Sequence, residues 1–70
     1  MRNVIELTIN GEPRNLVGPM TVEQLVDTLG LAGKRIALER NGEIVPRSRY
    51  AVESVTQGDL LEIVVAVGGG

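Results

Sequence analysis

The chain has 70 residues, of which 43% are hydrophobic, and a formal net charge of −2. This length predicts one small domain, and the hydrophobic fraction is too high for a disordered chain. The slight acidity argues against a nucleic-acid binder, and the single aromatic residue, Tyr50, provides no stacking platform for unpaired bases. Cysteine and histidine are both missing, so there is no thiol nucleophile and the commonest metal ligands are absent. We therefore expect neither a catalytic set of residues nor a metal site.

Targeting and membrane signals are also missing from the sequence. No apolar stretch follows Arg2, as it would in a signal peptide, and no run approaches the roughly 18 apolar residues that span a bilayer. We expect a cytoplasmic protein that binds neither membrane nor nucleic acid.

The N-terminal residues predict a β-hairpin. Residues 4–9 alternate between apolar and polar side chains, and Asn10-Gly11 is the dipeptide best suited to a type I′ turn. Residues 12–17 are expected to return as the second strand. Pro13 places that strand at a sheet edge, because proline cannot donate a ladder hydrogen bond.

A short amphipathic helix is predicted next. Thr21 is suited to the N-cap, and Gln24 three residues later completes a capping box. Gly30 is well placed as the C′ residue that ends the helix. Apolar residues at helical spacing, which we expect to cover the sheet, are Val22, Leu25, Val26 and Leu29.

The middle of the chain predicts a second hairpin. Residues 35–40 alternate with Ile36 and Leu38 inward, and Asn41-Gly42 turns the chain into a short strand over residues 43–45.

Residues 47–56 have no strong period and are expected to cover one end of the core, with a helical turn over residues 48–51. Tyr50 is interpreted as a lid whose ring packs inward and whose hydroxyl stays in water. Four arginines could form a mildly basic patch: Arg35, Arg40, Arg47 and Arg49. We favour the interpretation that they lie on a solvated face with Glu39 and Glu43 nearby.

The last strand is predicted over residues 60–67, after a turn at Gln57-Gly58-Asp59. Because Glu62 should face solvent, alternation places one set of apolar residues toward the helix: Leu61, Ile63, Val65 and Val67. The opposite, uncovered face would carry Leu60, Val64 and Ala66. A cluster of exposed apolar residues beside the terminus is a candidate docking surface for a partner protein.

Three glycines, Gly68, Gly69 and Gly70, follow this strand. Without side chains they form either a frayed end or a thin tail that could enter a narrow active site. The residues alone leave both interpretations open. The order of elements predicts a two-layer α+β domain in which one helix covers one face of a sheet.

With these elements in place, the whole chain resembles the sulfur carrier proteins of thiamine biosynthesis, members of the ubiquitin-like β-grasp group. The resemblance lies in the turn at residues 10–12, the helix start at 21–26, the run Asn-Gly-Glu-Ile-Val-Pro-Arg-Ser at 41–48 with Tyr50, and the closing residues 58–64 and 67–70. The last two features point to the thiamine branch. Molybdopterin-synthase small subunits are similar, but they usually carry a proline-containing segment before their Gly-Gly end, and this chain does not.

The resemblance implies a β-grasp fold with a mixed sheet of four to five strands on one main helix. Residues 1–67 would form the domain and residues 68–70 a flexible tail. It implies that the protein is not an enzyme, binds no cofactor and acts through the carboxylate of Gly70. An activating enzyme would adenylate that carboxylate with ATP and Mg²⁺, and a cysteine desulfurase-derived persulfide would convert it to a thiocarboxylate.

In such carriers the thiocarboxylate sulfur passes to a thiazole synthase, and Gly68 and Gly69 thread the terminus into the partners' active sites. Two alternatives remain: a carrier for molybdopterin or amino-acid sulfur assembly, and a ubiquitin-like module that binds partners noncovalently.

Overall fold

A computed structural model of the chain describes residues 3–66. Its elements, in chain order, are β1 (Asn3–Ile9), β2 (Glu12–Gly18), β3 (Met20–Thr21), α1 (Val22–Thr28), β4 (Ile36–Arg40), β5 (Glu43–Ile44), a 3₁₀ helix (Arg47–Arg49), β6 (Ser54–Val55) and β7 (Leu60–Val65). Residues 3–66 contain no helix with the length and apolar character needed to cross a bilayer.

Five of the strands form one mixed sheet in the order β2-β1-β7-β4-β5. The central pair, β1 and β7, is parallel, and the remaining neighbours are antiparallel. The last strand in the chain therefore lies in the middle of the sheet, between the first strand and β4. Helix α1 packs on one face, so the predicted two-layer α+β architecture is confirmed.

Both predicted hairpin turns are present. Asn10 and Gly11 have φ of 51° and 81°, and Asn41 and Gly42 have φ of 53° and 85°. Two successive positive φ angles are the requirement of the type I′ turn, which Asn-Gly satisfies at little steric cost. The edge position predicted from Pro13 is also confirmed, because β2 is the outermost strand on its side.

Helix α1 begins and ends as its sequence predicts. The Thr21 hydroxyl accepts from the Gln24 backbone N–H at 3.1 Å, and the Gln24 side chain accepts from the Thr21 N–H at 2.9 Å. Gly30, with φ of +75°, follows the C-cap residue Leu29. Three of the four predicted core residues of the helix are buried, and the fourth, Leu29, is partly buried at the edge of the core.

The core lies between α1 and the inner face of the sheet. Its most completely buried side chains are Leu7, Leu25, Leu38, Leu61, Val22 and Val55. Tyr50 is also buried, as predicted, and closes the end of the core beside the 3₁₀ helix. Each of these residues removes apolar surface from water, which is the main favourable term in folding.

The small sheet formed by β3 and β6 was not predicted. Met20 pairs with Val55 and Thr21 with Ser54. Next to it, the N–H of Val22 donates to the Glu53 carbonyl at 2.8 Å, and the N–H of Glu23 donates to the Tyr50 carbonyl at 2.9 Å. The irregular segment thus satisfies N–H groups of the first helical turn that have no partner inside the helix.

The predicted end of the last strand was wrong within the described residues. β7 ends at Val65 rather than continuing through Ala66, although the Ala66 N–H still donates to the Arg35 carbonyl at 2.9 Å. Val65 shares the inner face with Leu61 and Ile63 but is 38% exposed, because it borders an open cleft rather than the core. The predicted inward position of Val67 lies outside the described residues.

Candidate functional site

The strand that leads to the C-terminal glycines is held on both sides. Its start pairs with β1 through Thr8 and Ile9, while β4 pairs with it from Leu61 to Val65. A central strand has partners for its backbone along both edges, so it resists displacement better than an edge strand does. The residues that follow it are therefore attached to one of the best-supported strands in the molecule.

Asp59, immediately before β7, anchors the start of that strand. Its carboxylate accepts from Arg40 Nε at 2.8 Å, the Thr56 backbone N–H at 2.8 Å, Asn41 Nδ2 at 3.1 Å and the Thr56 hydroxyl at 3.2 Å. Burial raises the pKa of Asp59, but the hydrogen bonds from Arg40, Thr56 and Asn41, with the charge of Arg40, outweigh burial and hold the pKa below its ordinary value. Asp59 is therefore a structural carboxylate, whereas the sequence predicts only that it lies in a turn.

The predicted solvated face is confirmed for three of the four arginines, which are exposed. Arg40 is half-buried and pairs with Asp59 and, at 3.4 Å, with Glu53. Arg49 also pairs with Glu53, at 3.0 Å. Glu43 lies opposite Arg40 in the β4–β5 pair, as expected, but neither Glu39 nor Glu43 takes part in an ion pair between described residues. The outcome disfavours a basic patch, since two of the four arginines are neutralised by carboxylates.

The predicted docking residues lie on the sheet face opposite α1, which we call the outer face. Leu60 and Val64 are 60% and 65% exposed, and Ala66 is also exposed. Strand register places Ala37 of β4 beside Val64. Ile44 of β5, 69% exposed, pairs with Glu39 on the same face. The docking role of these residues stays a prediction, but their predicted exposure is confirmed.

Two carboxylates interrupt this apolar surface. Glu39 and Glu62 are directly opposite each other in the β4–β7 pair. Like charges in directly opposed positions destabilise a sheet. Neither carboxylate has an ion-pair partner among residues 3–66. The outer face therefore combines exposed apolar side chains with unneutralised negative charge.

A further cleft lies on the other side of the molecule. It has a volume of about 430 Å³ and is lined by apolar side chains, including Val26, Leu31 and Ile36, together with charged and polar residues. No three acidic, histidine or cysteine side chains between residues 3 and 66 come close enough together to hold a metal ion. Gly68, Gly69 and Gly70, the predicted tail, lie outside the described residues.

Comparison with known proteins assigns this arrangement to a family. A family model named for ThiS matches residues 7–70, which is nearly the whole chain and includes all three terminal glycines. The chain belongs to the ThiS family. The resemblance noted in the sequence is thereby confirmed.

Relatives of the chain differ in length. A protein named thiazole synthase from Paramagnetospirillum magneticum is 53% identical over 66 residues, and one of the same name from Magnetococcus marinus is 36% identical. The alignments cover 94% of this chain but only 20% of each relative, so the chain spans about a fifth of their length. The sulfur carrier protein ThiS of Bacillus subtilis is 38% identical over 50 residues, covering 71% of this chain and 76% of that protein.

Solved structures support the same assignment. The crystal structure of the thiamine biosynthesis protein ThiS from Geobacter metallireducens matches with a TM-score of 0.80 and 32% identity, covering 94% of this chain and all of that one. The solution structure of a thiamine biosynthesis protein from the same organism matches with a TM-score of 0.79, also at 32% identity, over 94% of this chain and 88% of that one. The expected β-grasp fold, with five strands in its mixed sheet, is confirmed.

Proposed function

We propose that this protein is the sulfur carrier of thiamine biosynthesis and that the Gly70 carboxylate carries the sulfur. The family match through residues 7–70 is the observation that supports this most directly, because it includes the Gly68-Gly69-Gly70 end. The position of β7 in the centre of the sheet adds a physical reason. A well-supported strand gives the terminal residues a fixed point of departure.

The proposed chemistry begins with activation. A free α-carboxyl group has a pKa of about 3.5, so at neutral pH it is a resonance-stabilised anion and a poor electrophile. An activating enzyme would use ATP and Mg²⁺ to form an acyl-adenylate at Gly70. The terminal sulfur of a cysteine-derived persulfide would displace AMP, and reduction of the resulting disulfide by a thiol would leave a thiocarboxylate. In this scheme the carrier is not an enzyme, and its ATP-dependent activation takes place in the cytoplasm.

Thiazole synthase is the proposed sulfur acceptor. Two relatives that bear that name contain a region similar to nearly all of this chain. Such a combination of a carrier region with a larger protein is expected when the two act in consecutive steps. Gly68 and Gly69 would form the tether, since a backbone without side chains enters a narrow channel with the least obstruction.

The outer face is proposed to dock the partner enzymes. Leu60, Val64 and Ala66 provide exposed apolar area along β7 and just beyond it, and Glu39 and Glu62 add negative charge. A complementary partner would therefore present apolar side chains together with lysine or arginine. Cations placed near the two glutamates would relieve their repulsion, and charge complementarity would mainly raise the rate of association.

A reconstituted transfer reaction tests the proposed function. The protein is combined with ATP, a thiamine-pathway activating enzyme, a cysteine desulfurase with cysteine, and a thiazole synthase with its substrates, and thiazole is measured. The full chain should support thiazole formation, and a variant lacking Gly69 and Gly70 should remain folded and support none. If the deletion variant is as active as the full chain, Gly70 carries no sulfur. If a molybdopterin synthase accepts the sulfur and thiazole synthase does not, the alternative carrier function replaces this one.

A further inference from the structure

The side chain of Asn10 bonds to both backbone groups of one residue in β7. Its Nδ2 donates to the Ile63 carbonyl at 3.0 Å, and its Oδ1 accepts from the Ile63 N–H at 2.8 Å. The Asn10 backbone N–H also donates to the Leu61 carbonyl, at 2.9 Å. The positive φ of its turn explains an asparagine at position 10, but that requirement does not call for these contacts.

These bonds extend the parallel pairing of β1 with β7 after β1 has turned away. The backbone register of the pair covers only Thr8 with Leu60 and Ile9 with Leu61. At Asn10 the main chain turns toward β2. A carboxamide has the same donor and acceptor as a peptide group. The Asn10 side chain therefore takes the place of the next peptide unit of β1.

The final residues of β7 depend on this contact with the Asn10 side chain. On one side, β4 continues to pair with β7 as far as Ile36 opposite Val65. On the other side, the β1 register stops at Leu61, and the contact nearest the end of β7 is the Asn10 amide at Ile63. Without this contact, the last residues of β7 would be supported by β4 alone, and the end of the strand could move away from β1.

We propose that Asn10 is a positioning residue for the sulfur-carrier reaction, fixing the direction in which β7 delivers the C-terminal residues to the activating enzyme. The proposal rests on the proposed function. Among the described residues, the long-range contacts of Asn10 are with the backbone of β7, so its proposed role is one of position rather than of chemistry. Its effect is on orientation, and small errors in the position of a reacting group can cost large factors in rate.

The chain provides a matched control in Asn41. Asn41 occupies the same position of the second Asn-Gly turn, with φ of 53°. Its side chain also bonds across to the segment around β7, accepting from the Leu60 N–H at 2.9 Å and donating to Asp59 at 3.1 Å. These bonds are at the start of β7, whereas those of Asn10 are near its end. Glycine at either position keeps the positive φ and removes the amide.

Two measurements on Asn10→Gly and Asn41→Gly test the proposal. The first is amide hydrogen exchange of the free protein. Asn10→Gly should raise the exchange rate of the Ile63 N–H by roughly 3- to 10-fold, the factor for one lost hydrogen bond, and Asn41→Gly should leave that rate near the wild-type value.

The second measurement is the rate of pyrophosphate release with the activating enzyme and ATP. Asn10→Gly should lower kcat by about 10-fold with little change in KM, and Asn41→Gly should lower neither.

Equal effects of the two variants on kcat would overturn the proposal, because general destabilisation would then explain both. Unchanged exchange at Ile63 in Asn10→Gly would overturn it as well, since the amide would not be holding the strand. If the wild-type chain is not adenylated while the activating enzyme is active on another carrier, the proposed function fails. The exchange measurement still decides, in that case, whether Asn10 holds the end of β7.

Discussion

Replacement of Asp59 by alanine should remove a large part of the stability of the fold. The carboxylate accepts four hydrogen bonds, its side chain is only 7% exposed, and one of its donors is the charged guanidinium of Arg40. A hydrogen bond to a charged group contributes about 1.5–3 kcal/mol, and breaking a buried pair costs about 3–5 kcal/mol. Because Arg40 is 26% exposed and can recover water, we expect a loss of about 3 kcal/mol.

Urea denaturation followed by circular dichroism measures this loss. A domain of this size has a free energy of unfolding of about 5 kcal/mol, so Asp59→Ala should shift the midpoint to much lower urea. The control is Glu43→Ala, which removes an exposed carboxylate outside the ion pairs of the described residues and should change stability by less than about 0.5 kcal/mol. If Asp59→Ala matches the control, the carboxylate does not anchor the start of β7.

The same carboxylate predicts how stability depends on pH. The pKa of Asp59 is lower in the folded chain than in the unfolded chain, so its contribution is complete above the unfolded pKa of about 4. As the pH falls from that value through the folded pKa, the unfolded state takes up the proton first and the contribution is lost. Asp59→Asn should have a shallower decline in stability below pH 4 than the wild type. An identical decline would show that Asp59 is not the group responsible.

Three further substitutions have defined outcomes. Thr21→Ala should cost about 1 kcal/mol in urea denaturation by removing the helix cap, and no loss would mean that the capping box is not formed in solution. Leu25→Ala should cost about 2–5 kcal/mol because Leu25 is fully buried, and a smaller cost would place it outside the core. Val64→Asp should leave the free energy of unfolding within about 1 kcal/mol of wild type and should weaken binding to the activating enzyme in a titration. The control is Val4→Asp, because Val4 is similarly exposed but lies at the far end of the outer face. This control variant should not weaken binding. Unfolding of Val64→Asp would show that the face assignment is inverted.

Much of the fold was predictable because its signals are local. Asn-Gly dipeptides specify both hairpin turns through their positive φ angles. Thr21 and Gln24 mark the start of the helix through bonds between neighbouring residues. Alternation in the strands separates buried Leu61 and Ile63 from exposed Val64. Each of these features depends on residues a few positions apart, so a single sequence contains the information.

Features that join distant parts of the chain were not predictable from such patterns. The β3–β6 pair consists of two-residue strands, which are too short to show alternation. The sequence around Asp59 indicates only a turn, and it is the fold that brings Arg40 and Asn41 to its carboxylate. The contact of Asn10 with Ile63 spans 53 positions. A turn residue whose side chain has a second, long-range role gives no local signal of that role.

The most direct test of the central claim is the mass of the intact protein after activation. The chain is incubated with ATP, Mg²⁺, the activating enzyme and the persulfide-forming system, and its C-terminal fragment is then sequenced by mass. The sulfur-carrier account predicts a mass increase equal to the replacement of one oxygen by sulfur, localised to Gly70. An unchanged mass, with an activating enzyme that converts a known carrier in the same mixture, would contradict the account.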